Sequence, residues 1–273
     1  MSKLNLLVAY PYMSKPVIEL LKGYGDSVRF VLDSGAFTAW KAGKEITVDQ
    51  YCKFIESLPF EPWRYFTLDV IGDPHGTLKN YQSMLDRGFK PVPIFTRGED
   101  PSLIDHYYET SDVVGVGGLV GTRGNKGFVR GIMEHIGDRK VHWLGFTAHD
   151  FVSFYKPYMC DSSGWESGAR YGNFNIYLGG GRFKRLQKKD FREKPPQYLY
   201  DAITSYGYDA KDFAKKEHWH GGASKNRALN AHSVVRYQRE LEKKCGTYLF
   251  AAAATELAVK LLVEGALWEE KHG

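Results

Sequence analysis

Cysteine is scarce. The 273-residue chain has three, Cys52, Cys160 and Cys245, set far apart. They form no CxxC pair, no even framework and no zinc-ligand cluster. This excludes a disulfide-stapled secreted fold and points to a reducing, cytoplasmic compartment. The opening MSKLNLLVAYPY lacks both the apolar core and the small-residue cleavage site of a secretory leader. Long apolar runs are missing too. The one stretch with the length of a membrane span, 248–268, is broken by Glu256, Lys260 and Glu264 at four-residue spacing. That spacing puts the charges on one helical face, so the stretch reads as an amphipathic helix docked on a core, and no membrane partner is expected. No GxGxxG opens a helix after the first strand-like run, and no short-period repeat is present. What remains is ordinary globular material, 43% hydrophobic and 25% charged. The 29 glycines suit many tight turns or close backbone approach to a ligand.

Net charge is +5, which alone decides little; its distribution decides more. Between Arg182 and Lys244 there are 16 basic and 8 acidic residues, whereas the rest of the chain has 21 basic and 24 acidic. The densest part holds Arg182, Lys184, Arg185, Lys188 and Lys189. Such clusters are footprints of phosphate-rich partners, with a solvated basic helix face as the plain alternative. Trp219, His218, His220 and His232 share the segment and add rings able to meet nucleobases.

Up to residue 181 the chain alternates short apolar or β-branched runs with longer amphipathic stretches. Strands are expected at 5–10, 28–32, 65–70, 91–95, 113–116, 141–146, 158–160 and 175–178. Helices are expected near 16–22, 48–57, 76–87, 101–109, 124–135 and 150–155. Eight strands alternating with helices point to an α/β fold, a (β/α)8 TIM-like barrel over 1–181. A doubly wound open sheet is the competing architecture. Residues 182–273 read as a basic, mainly helical extension packed on the barrel, with helices near 225–243 and 248–268.

Three aspartates directly follow apolar runs: Asp33, Asp69 and Asp161. The C-terminal strand ends of a parallel barrel face one site, so all three are expected on one rim. Each is followed by Ser or Gly turn chemistry, and a turn or helix cap is the structural alternative for any one of them. Paired carboxylates permit substitution at a sugar carbon, one as nucleophile and one as proton shuttle. At this level a glycosyl transferase and a glycoside hydrolase are both open. The run Val114-Gly-Val-Gly-Gly-Leu119 offers N–H groups to a carbonyl oxygen, or simply a tight strand-to-helix turn. Phe37 and Trp40 follow Asp33 closely, where they could stack on a planar ring or belong to the core.

At these residues the sequence resembles the guanine transglycosylases, which include queuine tRNA-ribosyltransferases and phage-encoded DNA-modifying relatives. Asp33-Ser-Gly-Ala-Phe37 is similar to the family's DSGGF/Y motif, with one Gly-to-Ala change. Leu68-Asp69 resembles its base-recognising strand end, and Val116-Gly-Gly-Leu-Val-Gly121 its GGL-x-x-G segment. His142-Trp-Leu-Gly-Phe-Thr147 and Cys160-Asp-Ser-Ser-Gly-Trp165, followed by Ala169-Arg-Tyr-Gly172, resemble two further family segments in the same order. The resemblance implies Asp161 as nucleophile at C1′ of a guanosine nucleotide and Asp33 as general acid/base. It implies purine contacts from Asp69, Ser34 and the backbone of Gly117, Gly118 and Leu119, with Phe37 and Leu144 sandwiching the ring. The target nucleotide would leave its stack to reach the pocket.

Members acting on tRNA carry a CxCxxC…H zinc site after the barrel, and nothing in this chain has that spacing. With the basic segment in its place, the implied partner is DNA, in which guanine is exchanged for a free 7-deazaguanine base such as 7-cyano-7-deazaguanine. A phage-encoded member works in the host cytoplasm. Arg170, Arg97 and Arg123, together with the Arg182–Lys189 cluster, are the candidate phosphate contacts. No metal and no cofactor is expected, because base exchange at C1′ is close to balanced. The same chemistry on tRNA and a non-catalytic nucleic-acid-binding subunit are the alternatives, with a glycoside hydrolase last.

Overall fold

The structure is a computed structural model that describes residues 3–120, 126–170, 173–191, 195–219 and 225–273, with side chains at 167, 169 and 170 excluded. Arg123, Gly121, Tyr171, Gly172, His220 and the side chain of Arg170 therefore lie outside the described residues.

Eight strands form one parallel sheet. They are β1 (Leu4–Ala9), β2 (Val28–Asp33), β3 (Arg64–Tyr65), β4 (Ile94–Thr96), β5 (Val113–Gly117), β6 (Lys140–Trp143), β7 (Met159–Ser162) and β10 (Tyr248–Ala253). Their order is β3-β2-β1-β10-β7-β6-β5-β4. The sheet is curled. Phe66, just past β3, forms a parallel bridge with Val92, just before β4. There the Thr67 N–H donates to the Val92 carbonyl at 2.9 Å, and the Val92 N–H to the Tyr65 carbonyl at 2.8 Å. This α/β arrangement is compatible with a TIM-like fold, and it puts the C-terminal end of every strand on one rim.

Strand alternation sorts the sequence into two faces. Leu7, Val31, Phe66, Val92, Ile94, Val113, Met159 and Phe250 form a buried cluster inside the curl. Their strand neighbours Leu6, Leu32, Val114, Val141, Trp143, Cys160 and Leu249 face outward into the main core. That core is completed by helices α1 (Lys15–Tyr24), α3 (Val48–Ser57), α4 (Pro74–Asp86), α5 (Ser102–Tyr108), α6 (Lys126–Ile136) and α7 (His149–Tyr155). Local signals set their starts. Thr47 and Gln50 form a reciprocal capping box at α3, and the Asp73 carboxylate accepts the Gly76 N–H ahead of Pro74 at α4.

Two sequence expectations are overturned. The run at 175–178 is not the eighth barrel strand: β8 (Asn173–Tyr177) pairs antiparallel with β9 (Phe183–Gln187) in a separate hairpin. Residues 248–268 are not one helix. Tyr248–Ala253 is strand β10, lying between β1 and β7, and α11 (Glu256–His272) follows it. A parallel strand buried on both faces needs no polar alternation, so Tyr-Leu-Phe-Ala-Ala-Ala reads as the start of an apolar helix. The charged-face argument survives for α11, where Lys260 and Glu264 are exposed. Because β10 lies beyond residue 181, the chain after that point completes the sheet as well as extending it.

Among the described residues, the insertion between β7 and β10 holds the hairpin, α8 (Gly164–Arg170), α9 (Gln197–Thr204) and the 21-residue α10 (Lys225–Cys245). It has its own buried cluster, with Phe174, Phe191, Phe213 and Trp219 in mutual ring contact. Burying a ring of this kind contributes roughly 2–3 kcal/mol. No helix among the described residues is long and apolar enough to cross a membrane.

Candidate active site

The inner face of the sheet carries the candidate chemistry. Asp33 shares the inward parity of Val31 on β2, and Asp161 that of Met159 on β7. Gly117 shares that of Val113 on β5, and Leu144 follows at the end of β6. All sit above the buried apolar cluster, at the rim. The electrostatics follow from that floor. Burial pushes the Asp33 carboxyl up from 3.8 to about 7, with the negative charges of Asp69 and Asp161 pushing the same way. Hydrogen bonds from the Gly35 and Ser34 N–H groups offset only part of this. Burial also raises Asp69, against a lowering hydrogen bond from Ser34. The charges of Asp69 and Asp161 thus bear on the buried Asp33 carboxyl.

The loop after β2 is set by close approach. Gly35 has φ +73°, and a Cβ there would lie 2.2 Å from Cδ of Pro11. Its N–H donates to Asp33 Oδ2 at 3.0 Å, which fixes the carboxylate against its own turn. Gly35→Ala is expected to cost about 1–3 kcal/mol of stability and to lower activity by displacing Asp33. Thermal melting alongside a rate assay checks both, and a normal melt with normal rate would show the turn to be tolerant.

Ser34 is fully buried. Its hydroxyl donates to Asp69 Oδ1 at 2.9 Å and accepts the Ala36 N–H at 3.3 Å. The structure thus places the Ser34 hydroxyl against Asp69 as a brace. Asn80 holds the same strand end by donating to the Leu68 carbonyl at 2.9 Å.

The expected purine contacts are distributed unevenly. Gly117 is half-buried at the end of β5, and Gly118 is exposed with φ +72°. A Cβ at Gly118 would lie 2.7 Å from Arg97 Cβ, so the turn requires glycine. Leu119 is fully buried. Leu144 packs over Gly115, where a Cβ would lie 3.0 Å from its Cδ1. Phe37 lies instead on α2 (Ala36–Lys41), 53% exposed, stacked at 5.9 Å on the 57%-exposed Trp40. Lys41 Nζ lies 4.3 Å over the Phe37 ring. Tyr12, Val70 and Val120, on loops after β1, β3 and β5, are also exposed, so the rim carries apolar and aromatic surface. A cavity of about 370 Å³ opens on Asp69 between Ala36, Trp40, Thr47 and Asn80.

Asp161 is held by two groups. His142 Nε2 lies 2.8 Å from its Oδ1, and the Gly145 N–H donates to the same oxygen at 3.0 Å. The family resemblance covers the segment 142–147 without giving His142 a role. Its signal is a polar residue between Val141 and Trp143, whose outward positions leave 142 facing in.

Of the candidate nucleic-acid residues, Arg182 lies in the hairpin turn before β9, Lys184 and Arg185 on β9, and Lys188 and Lys189 in the short helical turn after it, and all are exposed. Among the described residues none of the five forms an ion pair, whereas Arg236 is taken by Glu269 and Lys225 by Asp212. The hairpin's turn packs on the start of α7, where a Cβ at Gly181 would overlap the His149 ring. Among the described residues no group of three His, Cys, Asp or Glu side chains is arranged to hold a metal ion. Comparison with protein-family models, curated proteins and solved structures returns no match.

Proposed function

We propose that the curled sheet is a (β/α)8 barrel and that the chain is a DNA-guanine transglycosylase, exchanging guanine for a 7-deazaguanine base. The observation that carries the reading is Asp33, raised to about 7 by burial and by Asp69 and Asp161 on the same rim. A carboxyl titrating near neutrality can give and take a proton within one catalytic cycle. In the first half-reaction an Asp161 oxygen bonds to C1′ as the C1′–N9 bond breaks. The bonding pair leaves on guanine, and the Asp33 carboxyl supplies the proton at N9. In the second, the incoming base gives its N9 proton to Asp33 and attacks C1′, and the Asp161 carboxylate departs. Atoms and charge balance without a further reactant.

Asp69, braced by Ser34, is suited to accept hydrogen bonds from the purine's N1–H and amino group. The exposed aromatic rim at Phe37 and Trp40 suits an unstacked nucleobase. The exposed cations of the β9 hairpin, which form no ion pair among the described residues, suit a phosphate backbone, and the absence of a CxCxxC…H spacing from the sequence favours DNA over tRNA.

The test is incorporation of a labelled guanine or 7-deazaguanine base, with duplex DNA and bulk tRNA in separate reactions. Label entering DNA alone supports the proposal, and label entering tRNA alone keeps the chemistry but replaces the substrate. Binding without incorporation would favour a non-catalytic subunit. Guanine release starts from protonated Asp33, so exchange is expected to fall about tenfold per pH unit above about 7. A rate flat from pH 6 to 9 would remove Asp33 from the proton-transfer role.

A further inference from the structure

The group beneath Asp161 is a fully buried histidine whose one polar contact among the described residues is the nucleophile itself. His142 is 0% exposed, inside the curl, with its ring 4.8 Å from that of Phe66. Nε2 faces Asp161 Oδ1 at 2.8 Å. Nδ1 is buried with no hydrogen-bond partner among the described residues. A carboxylate only accepts, so the imidazole nitrogen facing it carries the hydrogen, and Nδ1 is the buried ring atom left without a partner among the described residues. A buried polar atom without a partner is costly. A site that tolerates one is retaining the histidine for its other nitrogen.

We infer that His142 is a positioning residue that, with the Gly145 N–H, holds Asp161 by Oδ1 and so presents Oδ2 as the attacking atom. The inference rests on the proposed base-exchange reading. Both donors converge on Oδ1, and Oδ2 accepts no hydrogen bond among the described residues. When Oδ2 bonds to C1′, Oδ1 becomes the carbonyl oxygen of the glycosyl ester. When the incoming base displaces the ester, negative charge returns to the carboxylate. Donors already in place at Oδ1 stabilise that departing group, as oriented donors do at other developing oxyanions. The histidine thus has two effects: it aims the attack, and it eases the second half-reaction.

Two variants separate positioning from packing. His142→Leu fills much of the ring's volume but donates nothing. His142→Gln places an amide N–H close to the position of Nε2. Wild type, both variants and Asp161→Asn are compared for base exchange, KM for the free base, melting temperature and trapped covalent adduct. His142→Leu is expected to lower kcat about 10- to 100-fold, leave KM for the base nearly unchanged, and accumulate adduct. His142→Gln should recover most of the rate. In addition, a downfield ring N–H resonance in the wild type should vanish in Asp161→Ala, a readout that does not depend on turnover. Equal losses in the Leu and Gln variants, or a fully active Leu variant, would overturn the positioning role while Asp161→Asn stays inactive. No exchange by the wild type would overturn the base-exchange reading and this role with it.

Discussion

Asp161→Asn is expected to abolish base exchange, by at least about 10³-fold, while nucleic-acid binding at fixed salt stays within about twofold. The structure gives a reason beyond the loss of charge. Both donors at this position, His142 Nε2 and the Gly145 N–H, meet Oδ1. An asparagine would turn its carbonyl oxygen toward them and its NH2 toward the sugar. The atom that must attack would then be an amide nitrogen whose lone pair is delocalised and whose hydrogens point at C1′. Binding should survive because the exposed cations of β9 lie on a different element. The measurement pairs label exchange with a gel-shift titration on the same DNA. A variant keeping more than a tenth of wild-type exchange would show that some other group attacks. A variant losing binding and exchange together would mean that position 161 serves the architecture instead.

Much of this site was legible because strand ends carry their own signals. A short apolar run closing on Asp and then Ser marks a parallel strand meeting its rim at Asp33 on β2 and Asp161 on β7, whereas Asp69 lies beyond the two-residue β3 instead of closing the strand expected at 65–70. The expected helix at 48–57 coincides with α3, where a capping box and an amphipathic pattern agree. The errors share a physical origin. Tyr248–Ala253 is a strand buried on both faces, so its sequence lacks the period-2 signature by which strands are recognised. The run at 175–178 is apolar because β8 is mostly buried in the insertion's own cluster, while its partner β9 is mostly exposed. His142 stayed hidden for a different reason. A lone histidine in an apolar run is usually a core residue, and only the register that pairs it with Gly115 and Met159 turns it toward Asp161. Ser34 likewise read as a substrate contact, but its hydroxyl is spent bracing Asp69.

Asp33→Asn is expected to make the protein more stable at alkaline pH while removing its activity. The Asp33 carboxyl titrates at about 7 in the folded chain against an ordinary value of 3.8. The folded state therefore holds this proton more tightly than the unfolded chain does. The resulting stability is present in full below about pH 4 and is lost as pH rises through about 7. By pH 8 the wild type carries a charge above an apolar floor and beside Asp69 and Asp161. The neutral amide of asparagine avoids that charge, and its oxygen can still accept the Gly35 N–H that now bonds Oδ2. Relative to wild type, the variant should gain on the order of 2–4 kcal/mol at pH 8 and almost nothing at pH 4. Melting curves at the two pH values give this difference directly. Equal shifts at both would mean that Asp33 titrates as an ordinary surface carboxylate. Exchange should be lost in the same variant, because an amide cannot give the outgoing guanine its proton. Opposite signs in stability and rate from one substitution would tie the raised carboxyl to the reaction, since a turn or capping aspartate replaced by asparagine changes neither by much.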